Sequence, residues 1–406
     1  MKKHVIAIYA TTILLSLAGM AFIYSASRYS AAIESGDAFF YVKKQAIAFA
    51  IGLFLMFAVR IFDVEKLKKA KYPVMISSLI LLALVFVPKL GVESFGAKRW
   101  INLGFFTIQP SEYAKFGFVI FAAAVCADDN VNNTKTLLKI LFFGVFSCIL
   151  IILEPNMSIT VCLGAVMLVM LYVGGLKTKK FAAVLAPAVF AIPVLIVAEP
   201  YRMKRLLAFL NPWENPKGEG YQLIQSYYAL GSGGFFGLGY LNSRQKYLFL
   251  PFSESDFVLS VIGEETGFFG VTILAIIFIV FVYSGIKISI NAKTRFKSYL
   301  ATGITAIVAI QSAINFAVVS GAIPPTGLPL PFVSAGGSSL VAFMTFSGVL
   351  CLCADHSQKT LLRQYYKLWK NLSFRAATAF TERQGSKARK TAYCRFLRAR
   401  CSRGKR

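Results

Sequence analysis

The stretch SESDFVLSVIGEETGFFGVTILAIIFIVFVY, residues 253–283, decides the fold. It begins with polar and acidic residues and continues into an apolar run that is long enough to cross a bilayer, since a membrane-spanning helix needs about 20 apolar residues. The run is continuous, whereas the strands of a membrane barrel alternate apolar and polar residues. The sequence therefore predicts a transmembrane helix that starts near Asp256 and carries Glu264 and Glu265.

The carboxylates of this stretch have two interpretations. Ionisable groups are costly near hydrocarbon, so an acid within or beside a span is by default a functional-site hypothesis. Ser253 and Asp256 also fit a capping box, in which side chains bond the free N–H groups of a helix start, and the helix dipole favours a negative charge there. The local pattern leaves both interpretations of Asp256 open.

The composition of the whole chain indicates the same class of protein. The 406 residues are 57% hydrophobic and only 15% charged, which is too apolar for an ordinary soluble domain. In lipid only helices or closed barrels satisfy the backbone hydrogen bonds, and the other apolar runs are also continuous. We therefore expect an all-α polytopic membrane protein with about ten transmembrane helices in residues 1–353, followed by a basic cytoplasmic tail, residues 354–406.

The basic loops predict the orientation of the chain. Short loops rich in lysine and arginine face the cytoplasm, and those at residues 66–71, 176–180 and 287–297 fall on one side. This places both termini in the cytoplasm and a large outer loop, residues 199–255, between spans 7 and 8. The predicted spans are approximately residues 5–24, 45–62, 72–87, 112–127, 181–198, 256–283 and 299–320, with three more ending near residues 153, 175 and 353.

The net charge of +26 is concentrated in the tail and the loops, so it is first a topology signal. The tail begins with the amphipathic segment TLLRQYYKLWK and is expected to rest on anionic lipid of the inner leaflet, with a cytoplasmic partner as the alternative. Aromatic residues are too sparse among the basic ones for a nucleic-acid site. All seven cysteines lie in predicted spans or the tail, which predicts neither a disulfide framework nor a metal site.

Three polar segments fall on the predicted outer side. They are GAKRWINLGFFTIQPSEYAK (96–115), the loop that ends at Asp256, and the Pro/Gly-rich loop 321–339. Glu112 and Lys115 are three residues apart and can pair on one helix face, or they can join Arg99 in a cationic site for a phosphate or diphosphate. The glycines of GSGGFFGLG (231–239) indicate close backbone approach or a flexible turn, but the segment lacks the ending of a phosphate-binding P-loop.

These segments contain the groups that sugar transfer requires. Such a site needs a base near the attacking hydroxyl and cationic groups on the leaving phosphate. His4 and His356 are both predicted inside, so Asp256 is the candidate base. A helix start lowers the pKa of an acid, so burial or a neighbouring acid has to raise it again. Glu264 is about 12 Å further along the helix axis, which indicates a supporting role.

Four motifs of this chain resemble one known family. GAKRWINLGFFTIQPSEYAK, YQLIQSYYALGSGGFFGLGYLNSRQKYLFLP, SDFVLSVIGEETGFFG and PPTGLPLPFVSAGGSS occur in the order and topology of the SEDS family (shape, elongation, division and sporulation), polytopic peptidoglycan glycosyltransferases. The segments 211–234 and 242–251 look more like the division and sporulation branch (FtsW, SpoVE) than the elongation branch (RodA). Glu254 and Ser255, which precede Asp256, and Ala335 depart from the residues that the family often carries.

The resemblance implies polymerisation of lipid II into glycan strands at the outer face of the bacterial cytoplasmic membrane, in cell division or sporulation. Asp256 matches the essential aspartate of the family and would activate the acceptor hydroxyl. The residues that the resemblance assigns to substrate binding are Arg99, Glu112, Lys115, Gln225, Ser226 and Lys246. The residues expected to support the structure are Glu264 and Glu265.

The resemblance also implies partners. A class B penicillin-binding protein would supply transpeptidation, beside other division proteins and membrane lipids, with no nucleic acid. No cofactor is implied, and a divalent cation stays an open question. Two other functions compete with the enzyme: a flippase or transporter of lipid-linked precursor, which needs a site at the membrane midplane, and a non-catalytic division scaffold. The position of Asp256 at the predicted outer boundary favours the enzyme.

Overall fold

A computed structural model describes residues 1–88, 90–94, 97–102, 104 and 107–354. The basic tail predicted at residues 354–406 lies outside the described residues from residue 355 onward. The helices in chain order are α1 (Lys2–Ser35), α2 (Phe40–Ala58), α3 (Val64–Lys69), α4 (Lys71–Leu84), α5 (Pro110–Asp128), α6 (Thr134–Leu153), α7 (Met157–Val173), α8 (Thr178–Val197), α9 (Pro200–Leu210), α10 (Tyr221–Gly233), α11 (Val258–Ile290), α12 (Arg295–Val319) and α13 (Gly337–Cys353). Short 3-10 turns occur at Val59–Ile61 and Pro212–Glu214.

The helices confirm an α-helical polytopic membrane protein. Within the described residues, six helical segments are long and apolar enough to cross a membrane: Lys2–Ser35, Phe40–Ile61, Thr134–Leu153, Thr178–Val197, Val258–Ile290 and Arg295–Val319. Helices α4, α7 and α13 are apolar but shorter. These nine and α5 coincide with the ten predicted spans, and the count of ten spans stays a prediction.

A small antiparallel sheet, which the sequence did not predict, lies between α4 and α5. It consists of β1 (Gly91–Ser94), β2 (Ala97–Asn102) and β3 (Thr107–Ile108), with β2 in the centre. The pairing of β1 with β2 is irregular between Val92 and Glu93. The sheet places Arg99 on its central strand, β2, which precedes β3 and α5 in the chain.

Helix α5 is the centre of the bundle. Its side chains are buried from Pro110 to Cys126 with few interruptions, and it contacts α4, α6, α7, α12 and α13. Helix α8 is the opposite case, because every one of its residues is at least partly exposed. Prolines at positions 187 and 193 remove backbone donors inside α8. The well-packed part of the fold is therefore built around α5, α11 and α12, and α8 lies at its edge.

The capping interpretation of Ser253 and Asp256 is wrong. Helix α11 begins at Val258, and among the described residues no side chain caps its N-terminus at Phe257. The Ser253 hydroxyl instead donates to the carbonyl of Ala26 in α1, at 3.3 Å. The chain before Val258 is thus a turn bonded to neighbouring segments, and Asp256 lies in that turn rather than in the helix.

The glycine-rich segment 231–239 makes a close backbone contact. Helix α11 bends at Gly267, whose φ of 66° is left-handed, and the bend leaves carbonyls of its first half free. Leu238 and Gly239 donate their N–H groups to the carbonyls of Glu264 and Glu265, both at 2.9 Å. A Cβ on Gly267 would lie 2.4 Å from the nitrogen of Gly237. The segment 231–239 and helix α11 can therefore approach this closely only because Gly267 has no side chain.

Candidate functional site

Asp256 lies in a turn whose three consecutive backbone carbonyls, at residues 254–256, all accept hydrogen bonds. The carbonyls of Glu254, Ser255 and Asp256 accept hydrogen bonds, in that order, from the Ala335 N–H at 2.9 Å, the Ser334 hydroxyl at 2.6 Å and the Asn315 amide at 3.0 Å. All three donors come from α12 or from the loop that follows it. The candidate base is therefore held by contacts distant in sequence, at the end of the bundle where α12 ends.

The carboxyl group of Asp256 is half-buried against this loop. A Cβ on Gly327, whose φ is 72°, would lie 3.2 Å from Oδ2 of Asp256. Burial raises the pKa of Asp256 to about 6, while Arg205 and Arg99 lower it and Glu254 raises it. At neutral pH such a group is ionised and is still a stronger base than an ordinary aspartate, which suits general base catalysis.

Two arginines contribute positive charge to the Asp256 site. Arg99, on β2, donates from Nε to the Glu154 carbonyl at 3.2 Å and from Nη2 to the Pro155 carbonyl at 2.5 Å. Arg205, on α9, lies with its guanidinium carbon 4.5 Å from the centre of the Tyr201 ring. Guanidinium groups bind phosphate oxygens in pairs of hydrogen bonds, so this pair can bind a diphosphate beside the base.

A cavity is lined by Arg205 and by Phe252 of the turn that leads to Asp256. Its volume is about 240 Å³, and it lies between α9, α10 and the turn that leads to Asp256. Its lining includes Arg205, Glu219, Gln222, Phe252 and Pro325. Aromatic faces combined with a few charged and amide groups are typical of small-molecule sites.

Glu112 and Lys115 lie in the interior of the bundle rather than at its surface. Both side chains are 0% exposed, and their charged groups are 2.8 Å apart. Lys115 also donates to Oε1 of Gln311 at 2.5 Å, and the Ser339 hydroxyl donates to Glu112 at 3.3 Å. In this conformation the pair joins α5 to α12 and α13, and a substrate phosphate has no access to it.

Lys246 lies in a second buried cluster together with Glu264 and Glu265. Its ammonium group is 3.1 Å from Oε1 of Glu265 and donates to the Leu241 carbonyl at 2.6 Å. Glu264 accepts from the backbone N–H of Arg244 at 2.9 Å and from the Ser243 hydroxyl at 2.5 Å. The two acids thus bond the loop 238–246 to α11, and their supporting role stays a prediction.

Gln225 and Ser226 lie on α10. The Ser226 hydroxyl is fully buried, lies 2.8 Å from the Ser260 hydroxyl and donates to the Val319 carbonyl at 3.1 Å, so it joins α10 to α11 and α12. Gln225 is half-buried. The charge of Arg99 thus acts on Asp256, whereas Glu112, Lys115, Ser226 and Lys246 make buried contacts with other side chains and carbonyls of the bundle.

Three residues of the site were not assigned from the sequence. Arg205 had a signal, since PYRMKRLLAFL is a basic amphipathic segment. Asn315 and Glu154 had only a weak one, a polar residue inside or beside an apolar run. Glu154 is fully buried beside Arg99, and within the described residues neither of its carboxyl oxygens has a hydrogen-bond partner. Burial raises the pKa of Glu154 to about 8, and Arg99 lowers it.

The fold and the site define a multi-pass helical membrane protein with a half-buried acid and two arginines at one end of its bundle. Residues 6–359 match the FtsW/RodA/SpoVE family model, described as a cell cycle protein. The chain therefore belongs to this family, as the resemblance predicted.

Individual relatives agree with this membership. The chain is 37% identical over 351 residues to stage V sporulation protein E of Bacillus subtilis (strain 168), covering 86% of this chain and 96% of that protein. It is 38% identical over 343 residues to the probable peptidoglycan glycosyltransferase FtsW of Geobacter sp. (strain M18), covering 83% and 93%. A solved chain from work on polymerization and crosslinking by a peptidoglycan synthase complex superposes with a TM-score of 0.71 at 26% identity, covering 87% and 96%.

Proposed function

We propose that this chain is a peptidoglycan glycosyltransferase that polymerises lipid II into glycan strands at the outer face of the bacterial cytoplasmic membrane, in cell division or sporulation. The observation that carries the proposal is the Asp256 carboxyl group, which is fixed on a bonded turn and electrostatically coupled to Arg99 and Arg205. A base beside a cationic diphosphate site is the pair of groups that this transfer needs. The names of the relatives support the same reaction.

In the proposed reaction Asp256 accepts the proton of the acceptor sugar hydroxyl as its oxygen attacks the anomeric carbon of the donor sugar. The bond between that carbon and the diphosphate oxygen breaks, and the electron pair leaves with the undecaprenyl diphosphate. Arg99 and Arg205 neutralise the charge that develops on the leaving diphosphate. The cavity beside Arg205 takes a sugar ring of the substrate, and Gln225 remains a candidate for substrate contact.

The remaining residues predicted to bind substrate act through the fold in this proposal. Glu112 and Lys115 hold α12 and α13 against α5, and Ser226 and Lys246 hold α10 and the loop 238–246 against α11. Within the described residues there is no cluster of three or more His, Cys, Asp or Glu side chains suited to a metal.

The proposed partners follow from the same function. A class B penicillin-binding protein would crosslink the glycan that this chain polymerises, and the solved chain with the similar fold comes from a peptidoglycan synthase complex. Other division proteins and membrane lipids complete the proposed partners, without nucleic acid.

The test is polymerisation of fluorescent lipid II by the purified full chain with its partner transpeptidase. Wild type is expected to form glycan polymer and Asp256→Asn to form none, because the amide cannot accept the proton. Glu254→Gln is the matched control, since it removes a neighbouring carboxylate and leaves the base. Equal polymer from wild type and Asp256→Asn would overturn the assignment of the base, and movement of lipid II across vesicles without polymer would favour a flippase.

A further inference from the structure

Asn315 is a buried amide near the end of α12. Its side chain is 1% exposed, and Nδ2 donates to two carbonyls, that of Asp256 at 3.0 Å and that of Leu328 at 2.7 Å. A buried polar side chain is costly unless it is hydrogen-bonded, and here both bonds reach chain segments outside α12. One amide group therefore joins the turn of the base to the loop that follows α12.

The hydrogen bond from Asn315 to the Asp256 carbonyl is one of the three that hold the carbonyls of residues 254–256. The other two donors, Ser334 and Ala335, lie on the same loop as Leu328. The hydroxyl of Ser334 also accepts from the Leu330 N–H at 2.8 Å, which closes the loop on itself. Asn315 therefore anchors both partners of this contact, the turn and the loop, to one rigid helix.

The same face of α12 reaches the buried ion pair of α5. Gln311, one helical turn before Asn315, accepts from Lys115 at 2.5 Å and donates to the Pro329 carbonyl at 2.9 Å. The consecutive carbonyls of Leu328 and Pro329 in the loop thus accept hydrogen bonds from side-chain amides that lie one turn apart on α12. The pair of Glu112 and Lys115 is thereby connected to the loop that contacts Asp256.

We propose that Asn315 is a positioning residue for the reaction, which holds the backbone of Asp256 and the loop 327–335 so that the carboxyl group faces the substrate. This inference rests on the proposed function. Displacement of a reacting group by about 1 Å costs on the order of 100-fold in rate, so the loss of this amide lowers turnover while the binding of lipid II stays intact. Asn315 itself does not touch the reacting atoms.

Asn315→Leu tests the proposal, because leucine has a similar shape and no donor. The purified full chain with its partner is assayed for lipid II polymerisation at a series of pH values from about 4.5 to 8. At each pH, kcat and KM are determined separately. We expect a fall of about 10- to 100-fold in kcat with KM within about twofold of wild type. The acid limb of the pH profile is expected to move to lower pH, because a released Asp256 gains contact with water and its pKa falls toward the ordinary value.

Ser312→Ala is the matched control. Ser312 is also buried on α12, but within the described part of the chain its hydroxyl bonds only carbonyls of its own helix, those of Val308 and Ala309, and wild-type kcat is expected. Asn315→Leu with wild-type kcat, or with a lowered kcat and an unmoved acid limb, would overturn the proposal. If Asn315→Leu fails to fold, Ser334→Ala takes its place, because Ser334 donates to the neighbouring carbonyl of the same turn. We then expect a smaller fall in kcat and a shift of the acid limb in the same direction. An unchanged kcat of Ser334→Ala would overturn the proposal.

Failure of this inference is distinct from failure of the proposed function. A wild-type chain that forms no glycan would reject the polymerase function. A wild-type chain that polymerises lipid II beside an equally active Asn315→Leu variant would reject only the role of Asn315.

Discussion

The ammonium group of Lys115 lies 2.8 Å from the carboxylate of Glu112, and both side chains are completely buried. Removal of one partner leaves an uncompensated buried charge, which costs about 3–5 kcal/mol, whereas an apolar pair of similar volume is often neutral or stabilising. We expect Lys115→Met to lower the unfolding free energy by that amount and Glu112→Leu with Lys115→Met to recover most of it. Denaturant unfolding in mixed micelles measures both.

The activity of the double variant separates two roles of this pair. If the role of the pair is structural, we expect the double variant to polymerise lipid II with a KM close to that of wild type. A stable double variant with a KM raised tenfold or more would instead place Lys115 in contact with the phosphate.

The pH dependence of polymerisation is expected to follow Asp256. Because burial raises its pKa to about 6 and the base acts as carboxylate, kcat rises with pH through about 6 and is lost below it. Glu254 adds a negative charge that raises this pKa, so Glu254→Gln is expected to move the acid limb to lower pH. A pH profile of kcat with both proteins measures the shift, and a limb that moves upward contradicts this electrostatic account.

Arg205 is predicted to bind the diphosphate. Its positive charge lowers the pKa of Asp256, and a hydrogen bond to a charged group contributes about 1.5–3 kcal/mol, so Arg205→Ala is expected to raise KM for lipid II about 10- to 100-fold. Lys204→Ala is the matched control, because Lys204 is the preceding residue of α9 and is exposed. Equal KM values for the two variants would remove Arg205 from the site.

The sequence predicts the fold more completely than the site, and the reason is the range of the interactions. Continuous apolar runs are local, so the ten predicted spans coincide with helices. The spacing of Glu112 and Lys115 also predicts their pairing, because it depends on a single helix turn. Gln311, which completes that pair, is 196 residues from Lys115 in the chain, and no local pattern indicates such a contact.

Asp256 shows the same limit. The polar start of the span indicated a helix cap, since Ser253 and Asp256 have the right spacing, but the carbonyls of residues 254–256 bond to α12 and its loop instead. The sequence identifies the basic residues of the loops, but it does not predict which groups their side chains contact. Lys246 forms an ion pair in a buried acid cluster, whereas the charge of Arg205 lowers the pKa of Asp256, and only the packing of the helices distinguishes the two residues.

The contact of Gly267 with the segment 231–239 gives the last prediction. A methyl group on Gly267 would lie 2.4 Å from the Gly237 nitrogen and 2.5 Å from the Phe235 carbonyl oxygen, and the φ of 66° is strained for other residues. Gly267→Ala is therefore expected to lower the unfolding free energy by at least about 1–3 kcal/mol and to reduce activity with it. Gly231→Ala is the control, because Gly231 is in α10 with open space around its Cβ, where alanine stabilises a helix by about 1 kcal/mol. Thermal unfolding of both variants measures the difference, and a Gly267→Ala protein as stable as wild type would show that α11 does not need this bend.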